Sequence, residues 1–296
     1  MSKEIGHVFL EIKVSQNSEV GPEGMLPVYG ALVSALSTSW LNRFLGKTQT
    51  VSLEIWSISG EIHFGVSCPI ELQPLLESEI SGSYPLVRIE PITPKNETIN
   101  FITVLQLTAP SYLPLKSYKD FRDTDPLVSI WSALSRVEGF VHVQFILWDG
   151  GNTWIQQGRK VIQYGSLGPG ARMVAHPLAR DIETKINEMG LTTSLRITGE
   201  HKKDVQLIAS AYCGLGSMGK NSLKIKWLNK KSSSSTGTLS LTEMATLFHL
   251  PSKEYPVLGI AWAQNLLNQP PDNLIIGTNI PEEQKKSINF IVSLLI

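Results

Sequence analysis

The sequence predicts an α+β protein made of two consecutive units, each ordered strand, helix, strand, strand, helix, strand. Three observations predict it: period-two alternation in short apolar runs, apolar residues at helical spacing between those runs, and recurrence of the same order in the second half. Val8, Leu10, Ile12 and Val14 share one face of the first strand, with Glu11 and Lys13 on the other. After a Gly-Pro break, Met25, Tyr29, Leu32, Val33 and Leu36 recur along one helix face. Val51, Leu53 and Ile55 alternate into a turn at Ser59-Gly60, and Ile62, Phe64 and Val66 alternate out of it, which predicts a hairpin. Pro69 opens a helix with Leu72, Leu75, Leu76 and Ile80 on one side, and a strand over residues 86–92 closes the unit. This is the order of the ferredoxin-like split βαβ unit.

The second unit repeats the order with an insertion. Phe101–Leu107 is its first strand, and a loop rich in Pro and Tyr leads to Asp125-Pro126, an N-cap and first-turn pair. Leu127, Ile130, Trp131, Leu134 and Val137 mark the helix that follows, and Phe140–Trp148 is a strongly apolar strand. In place of a tight hairpin, residues 152–190 predict two helices, one carrying Trp154, Ile155, Val161 and Ile162, the other Leu178, Ile182, Ile186 and Met189, around a flexible GSLGPGARMV. A strand at 195–197, a helix over 205–212 and a strand over 223–228 complete the unit. KKSSSSTG, residues 230–237, is a low-complexity linker. The expected organisation is therefore a ferredoxin-like unit over 1–95, a second over 96–237 with its helical insertion at 152–190, and a connector or docking segment over 238–296.

With 296 residues, 42% hydrophobic and 18% charged, the chain has the composition of a packed protein rather than a disordered tail. Its 26 basic and 26 acidic residues cancel, so no whole-chain field draws it to nucleic acid. The charge is polarised along the chain. Residues 54–97 carry Glu54, Glu61, Glu71, Glu77, Glu79, Glu90 and Glu97 against Arg88 and Lys95. Residues 196–231 carry Arg196 and Lys202, Lys203, Lys220, Lys224, Lys226, Lys230 and Lys231 against Glu200 and Asp204. Such polarity suits subunit stacking or a local anionic partner. Cys68 and Cys213 stand far apart, which argues against a disulfide framework and for a reducing compartment. The opening MSKEIGHVFLEIKV is too charged for a signal peptide, and no stretch reaches the roughly 20 apolar residues of a membrane helix. The closing SINFIVSLLI is apolar but half that length, and reads as a strand in need of a partner.

Gly214–Ser222, GLGSMGKNS, fits the G-x-x-x-x-G-K spacing of a phosphate-cradling loop. However, Asn221 stands where Ser or Thr must hold Mg²⁺, and the segment precedes an alternating strand rather than a helix. The acid strand that could serve it, FILWD at 145–149, lies upstream instead of downstream. A helix-to-strand turn is the favoured reading. Lys224 and Lys226 alternate with Ile225 and Trp227, and with Lys220, Lys230 and Lys231 they are the candidate phosphate contacts. The competing reading is a strand edge guarded from pairing by lysines. His7, His63, His142, His176, His201 and His249 form no zinc-spaced set, and Trp131, Trp148 and Trp154 read as core. No catalytic residue, metal or cofactor is expected.

Residues 239–251, LSLTEMATLFHLP, offer Ser240 or Thr242 as N-cap with Glu243 behind it. Leu241, Met244, Ala245, Leu247 and Phe248 form an apolar face, and Pro251 forbids further helix. Together with HVFLEIKV, SLEIWSISGEIHFGVSCP, LFHLPS and PPDNLIIG, this segment makes most of the chain resemble the membrane-proximal, non-catalytic region of type IV secretion-like conjugative DNA-transfer ATPases, relatives of hexameric DNA-pumping motors. That family usually has membrane helices before the region and a nucleotide-binding loop soon after the connector. Neither stands in this sequence, and Phe248 occupies a position where the family often has Trp. The resemblance implies a non-catalytic assembly subunit, the front half of a DNA-transfer machine without its engine. Its partners would be a separate motor ATPase and further copies of the chain, with weak non-specific DNA contact. It would be cytoplasmic, reaching the inner face of the membrane only through partners, and Leu241, Met244, Leu247 and Phe248 would be its docking residues. The alternatives are a nucleotide-binding enzyme using Gly214–Lys220 and a stand-alone nucleic-acid-binding protein.

Overall fold

The computed structural model describes residues 6–37, 49–93, 97–121, 124–167, 173–216, 220–228, 234–254 and 258–263. The PPDNLIIG segment and the apolar tail lie outside the described residues. In chain order the elements are β1 (His7–Lys13), α1 (Met25–Leu36), β2 (Val51–Ile58), β3 (Glu61–Pro69), α2 (Gln73–Ser83) and β4 (Arg88–Pro91). The second half continues with β5 (Phe101–Leu107), α3 (Val128–Leu134), β6 (Phe140–Trp148), α4 (Thr153–Tyr164), β7 (Ser166–Leu167), β8 (Met173–Val174) and α5 (Ala179–Ile186). It ends with β9 (Gly190–Gly199), α6 (Lys202–Cys213), β10 (Leu223–Trp227), β11 (Gly237–Ser240) and α7 (Leu241–Leu247).

The alternating runs become one antiparallel sheet in the order β10-β5-β9-β6-β2-β3-β1-β4, with β11 also beside β9. The strongest alternation lies at its centre. The β2–β3 hairpin closes on Ser59 (φ 50°) and Gly60 (φ 85°), the two positive φ values of a type I′ turn, whose twist matches that of the strands. A side chain at residue 60 would meet the Ser135 carbonyl oxygen at 2.6 Å. The two expected units share this sheet, because β2 pairs with β6 along eight residues, from Val51 opposite Leu147 to Ile58 opposite Phe140. Met1–Ala263 accordingly form one unit, with residues 264–296 a second.

Two elements differ from the sequence reading. Pro69 stands at the N-cap rather than inside the first turn: its backbone is extended (ψ 139°) and ends β3, a 3-10 turn follows at Ile70–Leu72, and α2 begins at Gln73. The end of the expected linker is part of the sheet. Thr236 donates its N–H to the Thr193 carbonyl (2.8 Å), accepts from Leu107 N–H (3.0 Å), and its Oγ1 accepts from Leu195 N–H (2.7 Å). β11 then pairs with β9 and delivers the chain into α7.

The apolar face of the sheet packs with helices into one continuous core, running from Leu10, Leu53 and Ile55 through Val143, Phe145 and Leu195 to Met25, Leu32, Ile130 and Ile208. A smaller cluster, Trp154, Ile182 and Ile186, joins α4 to α5. Helix α7 lies in the main core. Ser240 caps it, with Glu243 returning to the Ser240 N–H (3.1 Å), which completes a capping box. Its sides are bonded all round. Tyr29 of α1 donates to the Phe248 carbonyl (2.8 Å), Thr246 accepts from Tyr118 N–H (2.7 Å), and Thr242 donates to Glu188 (2.6 Å). Beyond its end, His249 is bonded through Nδ1 to the Ala245 carbonyl (2.7 Å) and through Nε2 to Asp125 (2.8 Å). The expected docking face is thus covered by this chain itself. Met244, Leu247 and Phe248 are 0%, 2% and 1% exposed, and Leu241 packs against the same core. A short helix expected to follow a linker is instead fixed by β11, and of its apolar side chains only Leu241 keeps partial exposure. No described helix is long and apolar enough to cross a membrane.

Two stability measurements follow. Phe248→Ala removes a ring packed 6.3 Å from that of Phe145 and should cost about 3–5 kcal/mol in urea unfolding, while Leu247→Asp and Phe248→Asp should unfold the whole unit rather than release a docking arm. Burial raises the hydroxyl pKa of Tyr29, Tyr84 and Tyr212 in the folded chain. Their contribution is therefore intact below the ordinary tyrosine value of about 10 and is lost as pH rises beyond it. The urea midpoint should fall steeply on that alkaline side, and less steeply in Tyr212→Phe.

Candidate functional site

Alternation that sends Leu53 and Ile55 to the helices sends Glu54 and Trp56 to the other face of the sheet. One cross-strand row on that face spans the whole sheet. Lys226 lies opposite Val104, Val104 opposite Arg196, Arg196 opposite Gln144, and Gln144 opposite Glu54. Glu54 lies opposite Gly65, Gly65 opposite Glu11, and Glu11 opposite Glu90. The row runs from cations at the β10 edge to carboxylates at the β4 edge, so the charge polarity of the sequence is laid out across one surface.

At the acidic end is a cavity of about 790 Å³. Its floor is Trp56, which can lie across β3 because residue 65 is glycine: a side chain there would meet the indole at 2.8 Å and the Leu10 carbonyl oxygen at 2.7 Å. His63 stacks flat on Trp56 (centroids 5.4 Å, planes 6° apart), and His142 meets it edge-on (6.4 Å, 84°). Phe9 and Phe140 extend the aromatic surface against Trp56 and His142. Each histidine is fastened by a carboxylate. His63 Nδ1 lies 2.7 Å from Glu11, which also binds Lys13 (3.0 Å); His142 Nε2 lies 2.6 Å from Glu54, which also accepts from Gln144 (3.3 Å). Glu54 is 2% exposed, so these bonds are what let a carboxylate stay at that depth. The other wall is the β4–β5 connection, through Ile92, Thr93, Glu97 and Ile99, and among the described residues no helix residue lines the cavity. The pairs hold fixed imidazole rings beside an aromatic plate, an arrangement suited to binding a flat or cationic group.

The lysines do not converge. Lys224 and Lys226 project from the β10 edge, and Lys226 donates to Ser234 (3.4 Å). Lys220 turns instead to Asp120 (3.5 Å). Lys230 and Lys231 lie outside the described residues. The Gly214–Lys220 segment follows helix α6 and precedes strand β10, the reverse of a phosphate loop, and residues 217–219 lie outside the described residues. Asn221, in the Mg²⁺-ligand position of that motif, is 1% exposed and engaged mainly with the backbone, with the Thr108 hydroxyl also donating to its Oδ1 (3.4 Å). Its Oδ1 accepts from Ala109 and Ser222 N–H (3.0 Å each), and its Nδ2 donates to the Ala109, Pro110 and Leu113 carbonyls (3.1 Å each).

The sequence reading took the tryptophans and histidines singly. Trp131 and Trp154 are core, at 0% and 4% exposed, whereas Trp148 is partly exposed. Glu11, Glu54, Trp56, His63 and His142 were not among its candidates. The available signal was Glu54 interrupting an apolar strand on the face opposite Leu53 and Ile55. Among the described residues no group of three or more His, Cys, Asp or Glu side chains is placed to hold a metal ion. No family model and no curated protein matches the chain.

Gly65→Ala should cost about 1–3 kcal/mol and displace Trp56, because the added methyl overlaps both ring and backbone. A loss of near-ultraviolet circular dichroism with unchanged far-ultraviolet signal checks it.

Proposed function

We propose that this chain is a non-catalytic assembly subunit of a conjugative DNA-transfer, type IV secretion-like machine, working with a separate motor ATPase and docking through the open face of its sheet. The charge-polarised row from Lys226 and Arg196 to Glu54, Glu11 and Glu90 carries this reading, because an electrically oriented face selects both partner and orientation. The segments that carry the family resemblance supply this region. HVFLEIKV provides Phe9 and Glu11, and SLEIWSISGEIHFGVSCP provides Glu54, Trp56 and His63.

The fold within this reading is a tandem of ferredoxin-like units fused through their second strands. The orders β4-β1-β3-β2 and β10-β5-β9-β6 support it, each being 4-1-3-2 when strands are counted within its own half. A second, lesser reading is sequence-independent contact with DNA phosphates through Lys224 and Lys226, favoured by their exposure on an edge strand.

The test is co-purification with the hexameric DNA-pumping ATPase of the same genome. The motor should be retained at low salt and lost from a Lys224→Glu/Lys226→Glu variant, and the chain alone should show no ATP turnover. Failure to retain the motor overturns the reading, as does turnover by the chain alone that disappears in Lys220→Ala.

A further inference from the structure

The cavity at the acidic end of the open face has a composition that selects one kind of ligand. Among the described residues its lining carries four glutamates against one lysine. Two of them, Glu11 and Glu54, are buried and use their oxygens to fix His63 and His142, so the negative charge is held in place rather than free to turn to solvent. The other two stand at the mouth. Glu61 has a 65% exposed side chain and lies 3.8 Å from His63 Nε2, and the partly exposed Glu97 lines the cavity from the β4–β5 connection. Between mouth and floor are the rings of Phe9, Trp56 and Phe140. Carboxylates and aromatic faces together disfavour a phosphate or carboxylate group, which like charge would repel, and favour a donor-rich cation on an apolar stem. At about 790 Å³ the cavity admits a long side chain together with part of its backbone.

We propose that this cavity receives an arginine or lysine side chain from a basic segment of a partner protein, the anchor by which that partner seats on the open face. The inference rests on the docking reading above and supplies the chemistry of the partner. Charge complementarity identifies the occupant: Lys13 already pairs with Glu11 (3.0 Å) and Arg88 with Glu90 (2.6 Å), but carboxylates still outnumber cations in the described lining, so a cationic group is its complement, and the aromatic floor adds a cation–π contact.

The probe is a blocked pentapeptide with a central arginine, titrated into the full chain while the indole N–H signal of Trp56 and the ring signals of His142 are followed by NMR. The arginine peptide should shift both signals saturably. Its citrulline counterpart, isosteric but neutral, and a glutamate peptide should not. Glu61→Gln/Glu97→Gln, which alters only the mouth, should weaken binding by roughly tenfold with an unchanged urea midpoint. Equal binding of the citrulline peptide, no shift at millimolar arginine peptide, or undiminished affinity in the double variant overturns the proposal. So does free spermidine binding as tightly as the peptide, which would make this a small-molecule site. The docking reading is scored separately by motor retention. Retention that persists in Glu61→Gln/Glu97→Gln sinks the cavity proposal alone, whereas peptide binding without motor retention sinks the docking reading alone.

Discussion

A carboxylate with 3% of its side chain exposed survives in a core only when its oxygens are met, and Glu243 is met from three directions. Leu115 N–H reaches Oε1 at 2.6 Å; Ser240 N–H and the Lys185 ammonium reach Oε2 at 3.1 and 2.8 Å. Those three donors belong to the β5–α3 loop, the junction of β11 with α7, and helix α5. The carboxylate therefore adds to the bonds that already tie these parts together, among them Tyr118 N–H to Thr246 (2.7 Å), Thr238 N–H to Ser111 (3.0 Å) and Lys185 to the Leu113 carbonyl (3.3 Å). Burial lowers the Lys185 pKa and the Glu243 charge opposes that shift, so the pair depends on its mutual geometry for retaining charge at this depth. Removing either partner would leave the other as an unpaired charge in the core.

In the proposed reading, recognition falls to the face opposite this closed helical side. Helix α7 occupies the place where an incoming element could have packed, with His249 and Tyr29 bonded across it to Asp125 and to the Phe248 carbonyl. The opposite face has the reverse character: a cavity without helical cover and a row of charges that changes sign across the sheet. Its two halves use charge differently. At the acidic end the charges are paired with imidazoles and sit beside aromatic rings, which gives shape selectivity. At the β10 edge Lys224 and Lys226 stand in solvent, where they also guard an edge strand from pairing and contribute mainly to steering.

Much of the strand content was legible because each strand has one apolar and one polar face. Phe101–Leu107 and Phe140–Trp148 fall where alternation and apolar length put them, and the Ser240–Glu243 cap was written in the order of its residues. The misread parts have a common physical origin. β11 is four residues of Gly, Thr, Leu and Ser, a composition that local propensity assigns to a linker; it becomes a strand because β9 is ten residues long and extends past β5. The apolar face of α7 was read correctly as needing cover, but amphipathicity does not say which surface supplies it, and here it is the chain's own. The candidate site was the least legible. Glu54 meets His142 from 88 residues away and Glu11 meets His63 from 52, pairings set by sheet register rather than by any local motif.

Register is also what makes core and cavity a single specification. On β2 the residues alternate Leu53, Glu54, Ile55, Trp56: the first and third enter the core at 0% exposure, and the second and fourth form the cavity floor. A slip of one residue would turn Glu54 into the helices and Leu53 into the cavity, losing hydrophobic burial and burying a charge at once. The two-residue turn at Ser59-Gly60 prevents that slip on one side, and the eight-residue pairing with β6 prevents it on the other. Each of those pairings also sets a histidine beside Trp56, His63 from β3 and His142 from β6. The geometry of the cavity is therefore as rigid as the core behind it, since moving the aromatic plate would require moving Leu53 and Ile55 on the same strand. A site held in this way is prepared before its ligand arrives, so binding there need not draw on the free energy of ordering the chain.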